Sequence, residues 1–129
     1  MEPKRIHRIL LVDDDADFLE YLEMELKAQG FEIALARSGR EGFAVLNSQT
    51  GIDAVISDIS MPDGDGVSFL KEVRRARFAV PFFLVSGEMD MSLEEAQRLT
   101  ADGFFIKPFK ILKLIQAVTS AIQNRNRAR

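Results

Sequence analysis

The sequence predicts an α/β fold in which five parallel strands form one doubly wound sheet with helices packed on both faces. Two observations carry this. Short runs rich in Val, Ile and Phe alternate five times with longer stretches of helical period. The short runs are apolar at successive positions instead of every second one, as strands covered on both faces must be. The first run, Ile9-Leu10-Leu11-Val12, leads into Asp13, Asp14 and Asp15, whose carboxylates can cap the helix beyond. In that helix Phe18, Leu22 and Leu26 recur every four residues, Leu19 widens the stripe, and Gly30 supplies a stop. The second strand covers Phe31 to Ala36. Ser38-Gly39-Arg40-Glu41 has the form of a capping box, so a short helix with Phe43, Val45 and Leu46 starts there. The third strand, Ala54 to Ser57, ends at Asp58. Met61 to Gly66 is a turn, after which Val67, Leu70 and Val73 mark a helix. The fourth strand, Phe82 to Val85, ends at Ser86. Ser92-Leu93-Glu94-Glu95 is a second capping box, opening a short helix that closes near Gly103. Phe104 to Ile106 is the fifth strand, ending at Lys107-Pro108, and Ile111, Leu114, Ile115, Val118 and Ile122 form the stripe of the last helix.

The 129 residues make one domain, residues 1–124, with a short basic tail at 125–129 expected to fray. The absence of cysteine excludes a disulfide framework, a thiolate nucleophile, a zinc ribbon and an iron–sulfur site. The apolar runs fall short of the roughly 18 residues that argue a membrane span. A net charge of −3 argues against a general nucleic-acid binder. There is no phosphate-binding Gly-x-x-x-x-Gly-Lys loop, and Gly64-Asp65-Gly66 lacks the third glycine of a dinucleotide fingerprint. As a calcium loop starting at Asp63 the turn also fails, because Arg74 stands where the closing Glu is needed. His7, the single histidine, is read as solvent-facing.

The chemistry collects at one edge. Asp13 and Asp14 follow the first strand, Asp58 ends the third, Ser86 the fourth and Lys107 the fifth, so all reach the carboxyl edge where open parallel sheets bind ligands. An Asp run before a helix is most often only a cap, and a strand-terminal Asp, Ser or Lys is usually a turn residue; their convergence is the signal. Three carboxylates there repel one another unless a cation lies between them, and a hard, oxygen-seeking ion such as Mg²⁺ fits best. Lys107 adds a point charge for a phosphoryl oxygen and Ser86 a hydroxyl donor. The set suits phosphoryl transfer.

Over about Arg8 to Ile122 the sequence resembles the receiver domain of two-component response regulators, of the single-domain, chemotaxis-regulator-like kind. The segments that carry the likeness are Ile9 to Asp15, Asp53 to Gly66, Val85-Ser86-Gly87 and Gly103 to Phe109. The resemblance implies a flavodoxin-like (βα)5 fold with strand order 2-1-3-4-5. It implies that Asp58 accepts the phosphoryl group of a phosphohistidine. Asp14, Asp58 and the backbone carbonyl of Ser60 would ligate Mg²⁺, or Mn²⁺ in its place, with Asp13 acting through a water. Ser86 matches the switch hydroxyl, Lys107 the phosphoryl-contacting lysine, Phe104 the aromatic switch, and Pro108 a proline preceded by a cis bond. It further implies a cytoplasmic signalling domain that catalyses only its own phosphorylation and dephosphorylation. Its partners would be a histidine kinase or histidine phosphotransfer protein and a downstream protein bound by the surface of the fourth helix, fifth strand and fifth helix. A phosphorylation-dependent homodimer is allowed; direct nucleic-acid contact is not expected, and output falls to a partner or to another part of a longer protein.

Departures from the family pattern are local. Ser86 stands where Thr is commoner, Gly87 where Ala is, and Gly64 where Met is; Phe104 lacks a Tyr hydroxyl. Ser60 and Glu88, beside the site, are expected to modulate dephosphorylation. Asp63-Gly64-Asp65-Gly66-Val67 also spells the Asp-x-Asp-x-Val loop of haloacid-dehalogenase-like phosphatases, but Pro62 precedes it where that family has a strand. A phosphorylation-independent interaction module is the other alternative; its usual sign, loss of Asp58, an acidic partner or Lys107, is missing.

Overall fold

The computed structural model describes residues 6–61, 65–87 and 93–127. Its elements run β1 (Arg8–Val12), α1 (Ala16–Ala28), β2 (Glu32–Ala36), α2 (Gly39–Ser48), β3 (Ile52–Asp58), α3 (Gly66–Arg75), β4 (Phe82–Ser86), α4 (Leu93–Arg98), β5 (Gly103–Ile106) and α5 (Ile111–Arg127). The five strands form one sheet in the order β2-β1-β3-β4-β5, and each neighbouring pair is parallel. Every residue of the central strands β3 and β4 is buried, which is why both read as unbroken apolar runs.

Successive strand residues feed opposite cores, as the two-residue period of a strand requires. Leu10, Val12, Val55, Phe82 and Leu84 pack with Leu46 of α2, Phe69, Leu70 and Val73 of α3 and Ala96 of α4. Ile9, Leu11, Ala54, Ile56, Phe83 and Val85 pack instead with Leu19, Leu22 and Leu26 of α1 and Leu114, Val118 and Ile122 of α5. The helix after β1 and the helix after β3 therefore lie on opposite faces. Their divergence opens a crevice at the carboxyl ends of these adjacent strands.

The capping residues act as the sequence indicates. Asp15 accepts from the Asp17 and Phe18 amides and Ser38 from that of Glu41. After α1, Gly30 has φ +95°, with its amide on Lys27 O and that of Phe31 on Leu26 O, a paired closure of the last turn. Ser92, the cap expected for α4, lies outside the described residues. That helix does not close at Gly103: it ends at Arg98, and Thr100 takes the left-handed turn at φ 68°. Gly103 belongs to β5, where a Cβ would come within 2.8 Å of the Phe83 ring.

Arg74 compensates for that strained threonine. Its guanidinium donates to Thr100 Oγ1 (3.1 Å), Thr100 O (3.0 Å), Phe78 O (3.0 Å), Val80 O (2.7 Å) and Asp102 Oδ2 (3.3 Å). Asp102 Oδ2 also accepts from the Phe82 amide at 2.7 Å, so one ion pair joins α3, the start of β4 and the turn into β5.

Two sequence expectations need correction. His7 is not simply solvent-facing: Arg8 N donates to Asp53 Oδ2 (2.9 Å), which draws the neighbouring His7 Nδ1 to 3.5 Å from the same oxygen and buries that nitrogen. The frayed tail is in fact helical through Arg127, and Arg125 is half-buried against the turn before β4.

Arg74→Ala leaves three backbone carbonyls and a carboxylate short of a partner, and is expected to lower the unfolding free energy by about 2–4 kcal/mol in urea denaturation. Arg74→Lys should recover less than half of the loss, because an ammonium cannot fork to five acceptors.

Candidate functional site

Strand register brings the chemistry together. Val12 pairs with Ser57, so Asp13, the next residue, lies beside Asp58; Asp58 pairs with Val85, and Ser86 with Ile106, the residue before Lys107. Lys107 Nζ lies 3.2 Å from Asp13 Oδ2 and 3.7 Å from Asp58 Oδ1. Asp13, Asp58 and Ser86 are all buried, at 3%, 7% and 0% exposure, whereas Asp14 faces solvent. The peptide bond between Lys107 and Pro108 is cis.

The surrounding backbone holds these groups. Asp13 Oδ1 accepts from the Asp15 amide at 2.9 Å, leaving its other oxygen for Lys107. Arg37, just past β2, donates to the Asp14 carbonyl at 2.9 Å, and the Asp13 amide donates to Ala36 O at 3.2 Å. Ser60 lies on the loop leaving β3, where the Ile59 amide donates to Val85 O at 2.9 Å. Gly66 opens α3 against that loop: its amide donates to Ile59 O at 2.9 Å, and a Cβ on it would fall on the carbonyl oxygen of Asp58. Only glycine allows this approach. Phe104 on β5 pairs with Leu84 and packs half-buried on the face covered by α2, α3 and α4.

Like charge and burial set the electrostatics. Burial pushes the Asp58 carboxyl up from 3.8 to about 6; the Asp13 charge adds to the rise, and Lys107 and the Ile59 amide oppose it. Burial likewise raises Asp13, against the Asp15 amide and Lys107. One carboxylate oxygen from each of Asp13, Asp14 and Asp58 lies within 4.8 Å of the others. Buried carboxylates that one lysine does not fully neutralise, all presenting oxygen, fit a hard divalent cation.

The family model of the response regulator receiver domain matches residues 9–119. The chain belongs to that family. The transcriptional regulatory protein PrrA of Mycobacterium leprae is 36% identical over 120 residues, which cover 92% of this chain and 51% of the relative. The chain thus spans about half the length of that relative. A receiver domain structure from Clostridium thermocellum superposes with a TM-score of 0.90 at 25% identity, covering 96% of this chain and all of the other. The chemotaxis response regulator CheY4 of Vibrio cholerae does so at 0.78 with 30% identity, covering 88% and 99%.

In this receiver domain the expected fold and strand order are found, and Asp13, Asp14, Asp58, Ser86 and Lys107 converge at the sheet edge as the sequence reading required. Receiver domains bind Mg²⁺ through acidic residues, and the acidic cluster is present. Glu88 and Asp63 lie outside the described residues. β3 delivers Asp58 to the edge. Two contributors were missed. Phe18, assigned only to a core stripe, puts its ring 3.9 Å from Lys107 Nζ. Gly66, assigned only to a turn, is what lets α3 reach the Asp58 backbone.

The raised carboxyl has a consequence with a definite sign. Its folded-state pKa exceeds the unfolded value, so folding takes up a proton between the two, and without divalent ions stability falls as pH rises from about 4 to about 6. Asp58→Asn removes that charge. In chelator it is expected to raise the unfolding free energy by about 1–3 kcal/mol near pH 7.5 and to change it little near pH 4, read by urea denaturation.

Proposed function

We propose that this receiver domain accepts a phosphoryl group on Asp58 from the phosphohistidine of a histidine kinase or histidine phosphotransfer protein, and signals by protein contact. The observation that supports this is the approach of Lys107 Nζ to both Asp13, at 3.2 Å, and Asp58, at 3.7 Å, at the switch-point edge. An Oδ oxygen of Asp58 attacks phosphorus; a P–O bond forms as the P–N bond to the donor imidazole breaks, and the imidazole nitrogen keeps the electron pair and takes a proton from solvent. Mg²⁺, or Mn²⁺ in its place, would be held by Asp14, Asp58 and the Ser60 carbonyl with Asp13 reaching it through a water, and supplies positive charge to the oxygens of the transferring group. Lys107 meets one of those oxygens and the Ser86 hydroxyl another. The protein's own catalysis ends with this transfer and the later hydrolysis of the acyl phosphate, in which water takes the phosphoryl group as inorganic phosphate and frees the Asp58 carboxylate; Ser60 and Glu88 modulate that hydrolysis.

A group of charge near −2 then occupies an edge already rich in carboxylates. Ser86 is drawn toward it and Phe104 moves into the space released, which biases two arrangements of the α4, β5 and α5 surface. Turning a mostly inactive population into a mostly active one takes about 5 kcal/mol of preference, part of it supplied by the bound target. Leu112, 61% exposed near the start of α5, offers an apolar contact on that surface. A downstream protein, or a second phosphorylated copy, is the occupant this reading assigns. No described helix is long and apolar enough to cross a membrane, and the reading places the domain in the cytoplasm.

Incubation with acetyl phosphate and Mg²⁺ tests the assignment by intact mass. The wild-type chain should gain one phosphoryl group and Asp58→Asn none, while Lys107→Ala should slow the gain by about tenfold or more. No adduct on the wild-type chain from either acetyl phosphate or phosphoramidate would favour the phosphorylation-independent module. Glu88→Ala should change the lifetime of the acyl phosphate several-fold, followed by loss of the adduct mass with time; equal lifetimes remove Glu88 from the list of modulators.

A further inference from the structure

We propose that Phe18 is a positioning residue for Lys107, its ring face fixing the ammonium at the place where the phosphoryl oxygen arrives. This rests on the reading of Asp58 as acceptor and adds a part that the sequence signature does not include. Lys107 Nζ lies 3.9 Å from the Phe18 ring centroid, 3.2 Å from Asp13 Oδ2 and 3.7 Å from Asp58 Oδ1. Three contacts thus confine one ammonium at the end of a flexible four-carbon stem.

The ring is itself held firmly. The Phe18 amide donates to the Asp15 cap at 3.3 Å, so the backbone of residue 18 is fixed by the loop that carries Asp13 and Asp14. Phe109, two residues past Lys107, packs its ring against that of Phe18 at 6.2 Å and 86°, and meets Phe105 in turn in a tilted contact at 5.7 Å and 54°. The loop that presents Lys107 therefore also grips the ring that faces it.

The aromatic character matters more than the volume. The Lys107 side chain is only 24% exposed, and an ammonium that has lost water is attracted by the negative face of a ring but not by an aliphatic side chain. With leucine at position 18 the two carboxylates alone would govern the ammonium, and the stem would sample more positions. With phenylalanine the charge is in place before the donor binds, which is what lowers the barrier to transfer.

The test uses the full chain with Phe18→Leu and Phe18→Tyr. Ring current should shift the Lys107 ε-methylene proton resonances upfield in the wild type and in Phe18→Tyr, and not in Phe18→Leu. With acetyl phosphate and Mg²⁺, Phe18→Leu should lower the maximal phosphorylation rate by about three- to tenfold with little change in half-saturating donor, and Phe18→Tyr should restore it. Unshifted Lys107 resonances in the wild type overturn the proposal whatever the stability of the variants. So does a Phe18→Leu rate equal to that of the wild type, or equal slowing by Leu and Tyr. A wild-type chain that takes no phosphoryl group overturns the acceptor reading, and this proposal with it; the other outcomes strike at Phe18 alone.

Discussion

Asp13 follows β1 and Asp58 ends the neighbouring β3; both are buried almost completely, and their charges repel unless a cation lies beside them. Much of the molecule answers that constraint. The strand order brings Lys107 within 3.2 Å of Asp13 across 94 residues of sequence. The Asp15 amide occupies one Asp13 oxygen, so the lysine meets the other. Arg37 holds the Asp14 carbonyl and so steadies the loop between them. A single lysine leaves the three carboxylates with excess negative charge, which is what a divalent ion at this cluster would offset. A site neutralised in full by the protein would have no reason to take one up.

The sheet and its edge were legible in the sequence because both follow from local pattern. Strands buried on both faces are largely apolar at successive positions, so Ile9 to Val12, Ala54 to Ser57 and Phe82 to Val85 announced themselves, and Asp13, Asp58 and Ser86, the residues that follow them, were the ones read as candidates. Strand order came from family likeness, not from the pattern, since periodicity does not say which strand lies beside which. The misses share one cause: they depend on contacts distant in sequence. Phe18 has the spacing of any core residue, and only the arrival of Lys107 makes its outer face electrostatic. Arg74 reads as a basic residue in the last turn of a helix, yet its partners Thr100 and Asp102 lie 26 and 28 residues away. Gly103 resembles a helix stop and is a packing residue. His7 looks free until Asp53, 46 positions later, is tied to Arg8. Aromatic identity one turn into a helix that follows an acidic loop is the one local signal that could have marked Phe18.

The two faces of the sheet carry different parts of the work. Phe104 packs with α2, α3 and α4, whereas Phe18, Phe105 and Phe109 lie on the side of α1 and α5. In the proposed function, reading of the phosphoryl group through Ser86 and Phe104 would proceed on one face, and the holding of Lys107 on the other. Substitutions that loosen the first need not disturb the second.

The separation of Asp13 and Lys107 along the chain also orders events in time. During synthesis from the N-terminus, β1 and β3 can pair while residue 107 is still unmade, which sets Asp13 and Asp58 side by side with no lysine near. That pairing is a burden until β5 joins β4 at the far side and delivers the ammonium. The strand added last is thus the one that brings the positive charge to the carboxylates placed by the first.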